Sequence, residues 1–203
     1  MNLTRHGIAT AILLLLPLPL IGQGGVGFSI GGRSYRSGPV VPGEGDATLR
    51  PVRAMEYLAH VQLGAVRGVG ISLLLGGFTA DFVTSTPSVS IGLKDAIDGY
   101  GARVALKAPV ATLSRGAMLA LQLEGGMESF RLADEKAEIR AVLSAGPTLH
   151  LPLAARWDLR LSALGGALLR SPFTSAGLPE GATNRNPWWI AWRVGLVRHW
   201  GAR

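Results

Sequence analysis

The sequence has no cysteine among its 203 residues and few charges, since only 16% are Asp, Glu, Lys or Arg. Without cysteine the chain forms no disulfide, no thiolate metal site and no cysteine nucleophile, and it cannot carry the lipid anchor of a bacterial lipoprotein. Long apolar runs are missing after residue 23, where no segment reaches the roughly 18 consecutive apolar residues of a spanning helix. If the chain enters a membrane, it does so without helices.

The composition is nevertheless too apolar for an ordinary soluble domain, with 28 glycines and a mean hydropathy of +0.30. The formal net charge is +7, but the basic residues are spread along the chain and are not interleaved with aromatics. This distribution does not favour nucleic-acid binding, and no nucleic acid is expected as a partner. A basic exterior close to anionic lipid head groups is the simpler explanation.

The first residues have the composition of an export signal. Arg5 lies in a short polar segment, and the apolar segment Ile8–Gly22 follows, interrupted by two prolines. This arrangement predicts a cleaved Sec-type signal peptide over residues 1–23. Residues 24–203 then form a single domain.

An alternation of period two recurs along that domain and is clearest in the closing segment. There the even positions carry large apolar side chains, except at Arg198, and the odd positions after Trp189 are mostly small or ionisable. Such a period indicates a strand with two different faces. We predict eight strands, most of about 11 to 15 residues, which exceeds the 9 to 11 that a tilted strand needs to cross a bilayer.

The connections between these strands alternate between longer and shorter. In an up-and-down barrel, successive connections lie at opposite ends, so one rim is predicted to be trimmed and the other elaborated, as in outer-membrane barrels. The short connections fall at Gly64–Gly68, after Pro109 and around Pro152. The longer ones are Ser37–Arg50, Val83–Ala96, the charged Leu132–Glu138 and Arg170–Pro187.

Two kinds of barrel fit this alternation, because a soluble lipocalin-like ligand-binding barrel has the same two faces turned the other way. The polar face here is crowded with Gly, Ala and Ser, as a narrow eight-stranded lumen requires. The apolar face carries almost no charge, which suits hydrocarbon. The pattern favours an all-β, antiparallel, up-and-down transmembrane β-barrel, and burial of Glu124, Glu128 and Arg140 would distinguish it from the soluble alternative.

The chain resembles the eight-stranded outer-membrane β-barrels of the OmpA/OmpX kind over essentially everything after residue 25. Arg193, Gly195 and Trp200 match the polar, glycine and terminal aromatic positions of their C-terminal insertion signal, whereas Arg198 replaces an apolar residue and Gly201–Arg203 overhang the usual end. The resemblance implies a monomer in the bacterial outer membrane. Its implied partners are outer-membrane lipid, lipopolysaccharide and the barrel-assembly machinery, which reads the C-terminal strand.

Two sets of residues are singled out by their positions on the strands. Aromatic residues near predicted strand ends are expected at the membrane interfaces: Tyr57, Tyr100, Trp157, Trp188, Trp192 and Trp200. Ionisable residues on the polar faces are expected to pair inside the lumen, because charges removed from water must be paired. This interior set is Glu56, His60, Arg103, Lys107, Glu124, Glu128, Arg140, His150, Asp158, Arg160, Arg193 and His199.

Pairing across the hairpins at Leu132–Glu138, at Pro152 and at the last connection predicts some neighbours within the interior set. Glu128 is expected opposite Arg140, His150 opposite Asp158, and His199 beside the same Asp158. The two histidines and the aspartate could also form a proton relay or a metal cluster. We predict the plainer arrangement, an interior network with a structural role, no bound metal and no cofactor.

The predicted function is that of a non-enzymatic outer-membrane barrel with a side-chain-filled lumen, acting structurally or through its longer external loops. The enzymatic alternative is a hydrolase or acyltransferase that modifies lipid A. It would need a Ser or Thr nucleophile with a His base near the outer rim. His60, His150 and His199 are expected nearer the short connections, so no catalytic residue is assigned.

Overall fold

The structure is a computed structural model that describes residues 24–42, 47–86, 90–132, 136–171, 181, 183 and 185–200. The predicted signal peptide and the three residues that follow Trp200 lie outside the described residues. Within the described ranges, no helix is long and apolar enough to cross a bilayer.

Antiparallel strands form one closed sheet. β1 pairs with β9 on one side and with β3 on the other, so eight long strands close into a barrel and the two-residue β2 lies outside it. The predicted eight-stranded barrel is confirmed. The strands are β1 Gly24–Tyr35, β2 Val40–Val41, β3 Ala47–Val66, β4 Val69–Ser85, β5 Ser90–Thr112, β6 Met118–Leu132, β7 Glu138–Ala154, β8 Trp157–Leu168 and β9 Trp188–Trp200.

The two ends of the barrel differ. At one end, which we name the turn end, lie the three short connections 67–68, 113–117 and 155–156 together with the start of β1 and the end of β9. Arg67 and Gly68 both have positive φ, 51° and 82°, as the right-handed twist of a two-residue hairpin demands. The opposite end, named the loop end, carries the remaining connections.

Two prolines that were expected to end strands lie inside them. β5 continues through Pro109 to Thr112, and β7 continues through Pro152 to Ala154. The sheet register shifts directly after each of these prolines, and such bulges accommodate a residue that has no N–H to donate. The predicted strand ends at these prolines are therefore wrong.

The prediction of a long loop over Val83–Ala96 is also wrong. β4 extends to Ser85 and β5 begins at Ser90, with Ser85 directly opposite Ser90. Most of the expected loop is therefore a continuation of the sheet. Its alternation is weak because this part of the sheet has no lumen behind it.

The continued sheet rises above the barrel at the loop end. β3 pairs with β1 only as far as Ala54, and β5 pairs with β6 only as far as Ile97. Beyond those residues β3, β4 and β5 remain paired with one another, and β2 pairs with β3. We name this extension the flap, which comprises residues 40–41, 47–53, 81–85 and 90–96.

The two faces of the barrel are turned as a membrane barrel requires. Glu124 and Glu128 of β6 point into the lumen and are 0% and 2% exposed. Leu121 of the same strand faces outward and is 54% exposed. Arg140 is half-buried. The soluble lipocalin-like alternative is wrong, because the interior is polar and the exterior apolar.

Gly146 on β7 provides a test of how tightly the wall packs. A Cβ there would collide with the carbonyl oxygen of Ala163 and lie 3.0 Å from the Cα of Leu164, whereas a Cβ at Gly165 on β8 would meet nothing closer than 4.0 Å. We expect Gly146→Ala to lower the free energy of unfolding by about 1–3 kcal/mol, the usual range for overpacking.

Urea unfolding in detergent measures the effect. Gly165→Ala is the matched control, because it adds the same methyl group to the paired strand and should change the stability little. Equal effects of the two substitutions would contradict the close strand approach at Gly146.

Candidate functional site

The lumen is filled in three layers along the barrel axis. At the loop end an apolar cap contains Tyr35, Phe78, Ile97, Phe130, Leu164, Leu168 and Trp189. Below it lies the ion-pair ring, formed by Arg33, Glu56, Arg103, Glu124, Glu128 and Arg193. Nearer the turn end is the basic layer, which consists of His60, Lys107, His150 and Arg160.

In the ion-pair ring, arginines and glutamates alternate. Arg33 donates to Glu56 Oε2 over 2.6 Å and to Glu128 Oε1 over 2.7 Å. Arg103 donates to Glu124 Oε2 over 2.9 Å and also pairs with Glu128. Arg193 pairs with Glu56 and with Glu124. Each arginine therefore pairs with at least two carboxylates and each carboxylate with at least two arginines, so the six side chains close a cycle, and a further 3.5 Å pair joins Arg103 to Glu56 across it.

The ring crosses the full width of the lumen. Arg33 lies on β1 and Glu128 on β6, and three strands separate β1 from β6 in either direction around the barrel. Both side chains are at most 2% exposed. Three positive and three negative charges balance, which is the condition under which buried charges are tolerated.

Glycines in the wall make room for the ring. A Cβ at Gly101 would lie 2.8 Å from Glu128 Cγ, and one at Gly31 would lie 2.7 Å from Arg193 Cγ. The glycine-rich polar face read from the sequence therefore has a local purpose, because the wall is thinned where long charged side chains must fit. Ser144 Oγ adds a 2.9 Å hydrogen bond to Glu124.

The apolar cap covers the ring on its loop-end side. The Arg33 guanidinium carbon lies 5.0 Å from the ring centroid of Phe78 and 5.2 Å from that of Trp189. Both distances are in the range of a cation–π contact. Water is thereby kept from the upper face of the ion pairs.

Most of the interior residues singled out from the sequence lie in these layers. Five of them form the ion-pair ring together with Arg33, which the sequence set omits. The signal for Arg33 is present, because it is in phase with Ser29 and Gly31 on the inward face of β1. Its isolation among glycines and serines hides its importance.

Glu128 and Arg140 lie opposite each other in register, as expected from the hairpin. Their side chains do not pair, however. Arg140 bonds Glu138 at 2.9 Å and donates to the carbonyl oxygen of Ser171 at the loop end, while Glu128 turns toward the arginines across the lumen.

The expected pairing of His150 with Asp158 is wrong. His150 lies opposite Arg160, and Asp158 lies opposite Pro152. β7 continues two residues past the proline, to Ala154, so the partner of His150 lies two residues further along β8 than expected. The expected contact of His199 with Asp158 is present, with Nε2 2.6 Å from Oδ2. No three His, Asp or Glu side chains of the described ranges are grouped as a metal site would require.

The outward aromatic side chains lie at two levels, one at the turn end and one in the loop-end part of the barrel. Trp157 and Trp200 lie at the turn end and Trp188 at the loop end. Tyr57, Tyr100 and Trp192 each lie three residues inside the loop-end edge of the closed barrel, where the cross-strand pairing of β3, β5 and β9 ends. Arg198 points outward at the turn end, 6.0 Å from the ring of Trp157.

Comparison with known proteins bears on this architecture. No protein-family model matches the sequence, and no curated protein matches it significantly. The outer membrane protein OprG from Pseudomonas aeruginosa superposes with a TM-score of 0.58 at 10% identity, over 89% of this chain and 97% of OprG. The chain has the fold of the eight-stranded outer-membrane β-barrels.

Two further outer-membrane barrels agree with this fold. Neisserial surface protein A gives a TM-score of 0.55 at 10% identity over 87% of this chain and 98% of its own. The outer membrane protein AlkL, solved in lipid bilayers, gives 0.50 at 12% identity over 88% and 91%. At these identities the likeness concerns the fold.

Removal of one carboxylate tests the ion-pair ring. Glu56→Gln leaves three arginines against two carboxylates, and we expect the free energy of unfolding to fall by about 3–5 kcal/mol, the usual cost of an uncompensated buried charge. Urea unfolding of the refolded barrel measures the loss.

The control is Glu138→Gln, which breaks the partly exposed pair with Arg140 at the loop end. It should cost about 1 kcal/mol or less. A loss at Glu56 no larger than at Glu138 would show that the ring contributes no more than a surface pair.

Proposed function

We propose that the chain is an outer-membrane barrel of a diderm bacterium, with a closed lumen and a structural or surface-interaction role at its loop end. The observation that carries this proposal is the inversion of polarity around a closed sheet. The buried charges lie inside, where six of them form the ion-pair ring, and the outward face of every long strand presents apolar side chains. That arrangement is favourable only when the hydrocarbon core of a membrane surrounds the barrel.

Lipid is the surrounding that fits the outer surface. The aromatic levels match the two interfaces of a bilayer, where amphipathic rings are favoured. Arg198 at the turn end can extend its guanidinium toward head groups. We assign the turn end to the periplasm and the loop end to the cell surface, where lipopolysaccharide would surround it.

The closed lumen argues against a transport role. An eight-stranded barrel has an interior just wide enough for side chains or for one small ligand, and here the ion-pair ring and the apolar cap occupy it in succession. We propose a monomer, because closure of the sheet leaves no barrel edge for a second copy. The alternating face of β9 is the segment that the assembly machinery would read.

The loop end offers a firm surface for contacts. Val40 pairs with Thr183, and Ser37 Oγ donates to the carbonyl oxygen of Asn186 over 3.0 Å, so the first and last connections are tied together. Above the barrel, Ile91 and Leu93 of the flap are 64% and 58% exposed. Binding residues are often carried by segments that project from a rigid scaffold, and we place the contact surface on the flap.

We assign no enzymatic role. His60 and His150 lie in the turn-end half of the lumen and His199 at the turn-end rim, far from an outer-rim nucleophile that would modify lipid A. Lipid A from cells that express the chain should have an unchanged mass spectrum. Altered acylation would contradict this assignment.

The absence of cysteine makes the location testable by labelling. Ile91→Cys places a single thiol on the flap, and Val66→Cys places one at the turn end, where Val66 is 61% exposed. A bulky polyethylene-glycol maleimide added to intact cells should label Ile91→Cys. It should label Val66→Cys only after the outer membrane is permeabilised.

Heat-dependent mobility on gels verifies that both variants are folded. Labelling of Val66→Cys alone in intact cells would reverse the proposed orientation. Recovery of the protein in the soluble periplasmic fraction without detergent would exclude the membrane location altogether.

A further inference from the structure

The basic layer differs from the ion-pair ring in how its cations are paired. Lys107 and Arg160 are buried in the turn-end half of the lumen, and no carboxylate of the described residues forms an ion pair with either. Arg160 donates one bond, from Nη2 to Gln62 Oε1 over 2.7 Å. The neighbouring Glu124 is already engaged by two arginines of the ring.

Several polar atoms of this layer have no partner. Arg160 is 4% exposed, and its Nε and Nη1 make no hydrogen bond within the described residues. His150, directly opposite Arg160 in register, leaves Nε2 unpaired. The Nδ1 of His60 and the Oγ of Ser72 are unpaired as well. Buried donors without partners are rare in folded proteins and call for an occupant.

The charges of the layer define the sign of that occupant. Lys107 and Arg160 lie within electrostatic range of each other and of both histidines. The carboxylates that act on them, Glu124 and Asp158, are themselves paired with Arg103, Arg193 and His199. Like charges held together in a narrow lumen repel one another, and a buried cation that shares its nearby carboxylates with other cations is incompletely compensated. A bound anion relieves both penalties and accepts hydrogen bonds from the unpaired donors.

The layer is not tightly packed at Gly70, and it remains accessible from one side. A Cβ at Gly70, which pairs with Lys107, would meet nothing closer than 3.8 Å. His60, Lys107 and His150 each retain a small exposed fraction of 7% to 8%, whereas the cap and the ring close the opposite side. Access is therefore from the turn end, past Asp158 and His199.

We propose that the basic layer is a binding site for a small oxyanion of the phosphate class, which enters from the turn end and is held by Arg160 and Lys107. Oxyanions present several acceptors at once, which suits donors that converge from different strands. His60 and His150 supply further ring nitrogens, and Ser72 a hydroxyl. The site lies inside the closed sheet and does not depend on what the loop end binds.

The experiment uses the full mature chain refolded in a maltoside detergent, which contains no phosphate. The urea midpoint of unfolding is followed against sodium phosphate and, at matched ionic strength, against sodium chloride. We expect the midpoint to rise and saturate with phosphate and to change little with chloride, because a ligand that binds only the folded state stabilises it.

Arg160→Gln and Lys107→Gln should each remove most of the phosphate-dependent rise. Without phosphate, Lys107→Gln should be no less stable than the wild type, because it removes a buried charge that forms no ion pair, and Arg160→Gln should lose no more than the contribution of its hydrogen bond to Gln62. Arg53→Gln is the control, since its side chain on the flap is 87% exposed and it makes the same change in net charge. It should retain the full rise.

Equal responses of the wild type to phosphate and chloride would overturn the proposal. So would a full phosphate response in both lumen variants. If neither variant folds, phosphorus NMR of phosphate with the wild-type protein tests binding instead. Broadening of the phosphate line is expected, and an unbroadened line would contradict binding. These outcomes are independent of the cysteine labelling, which tests location alone.

Discussion

The closed cycle of three arginines and three glutamates is the constraint on which the rest of the barrel depends. Six charges removed from water are tolerated only when each meets its opposites, and here each side chain meets at least two of opposite sign. The partners come from β1, β3, β5, β6 and β9, so the cycle forms only if the sheet has closed in the correct register. Ring and barrel therefore stabilise each other.

The layers above and below follow from that ring. On the loop-end side, Phe78 and Trp189 cover the Arg33 guanidinium and exclude water, which strengthens the ion pairs beneath. On the turn-end side the lumen stays polar, and its cations exceed the carboxylates available to them. One end of the lumen is thereby closed by aromatic side chains, whereas the other contains the basic layer.

The fold and the orientation of each face can be predicted from the sequence, because a period of two directly encodes which side chains point inward. The partners across the lumen cannot, since periodicity carries no information on which non-adjacent strands meet. Glu128 shows the difference: its register neighbour Arg140 is predictable from the hairpin, but its ion partner Arg33 is on the far wall. His150 shows a second limit, because a proline inside β7 moves the turn and changes its neighbour from Asp158 to Arg160.

The most direct test of the ion-pair ring is a double-mutant cycle between Arg33 and Glu128. Arg33→Met, Glu128→Leu and the double variant are compared with the wild type by urea unfolding of the refolded barrel. The account predicts that each single change is strongly destabilising and that the double variant recovers part of the loss, with a coupling free energy of about 1–3 kcal/mol. Additive effects within about 0.5 kcal/mol would mean that the two side chains do not interact across the lumen.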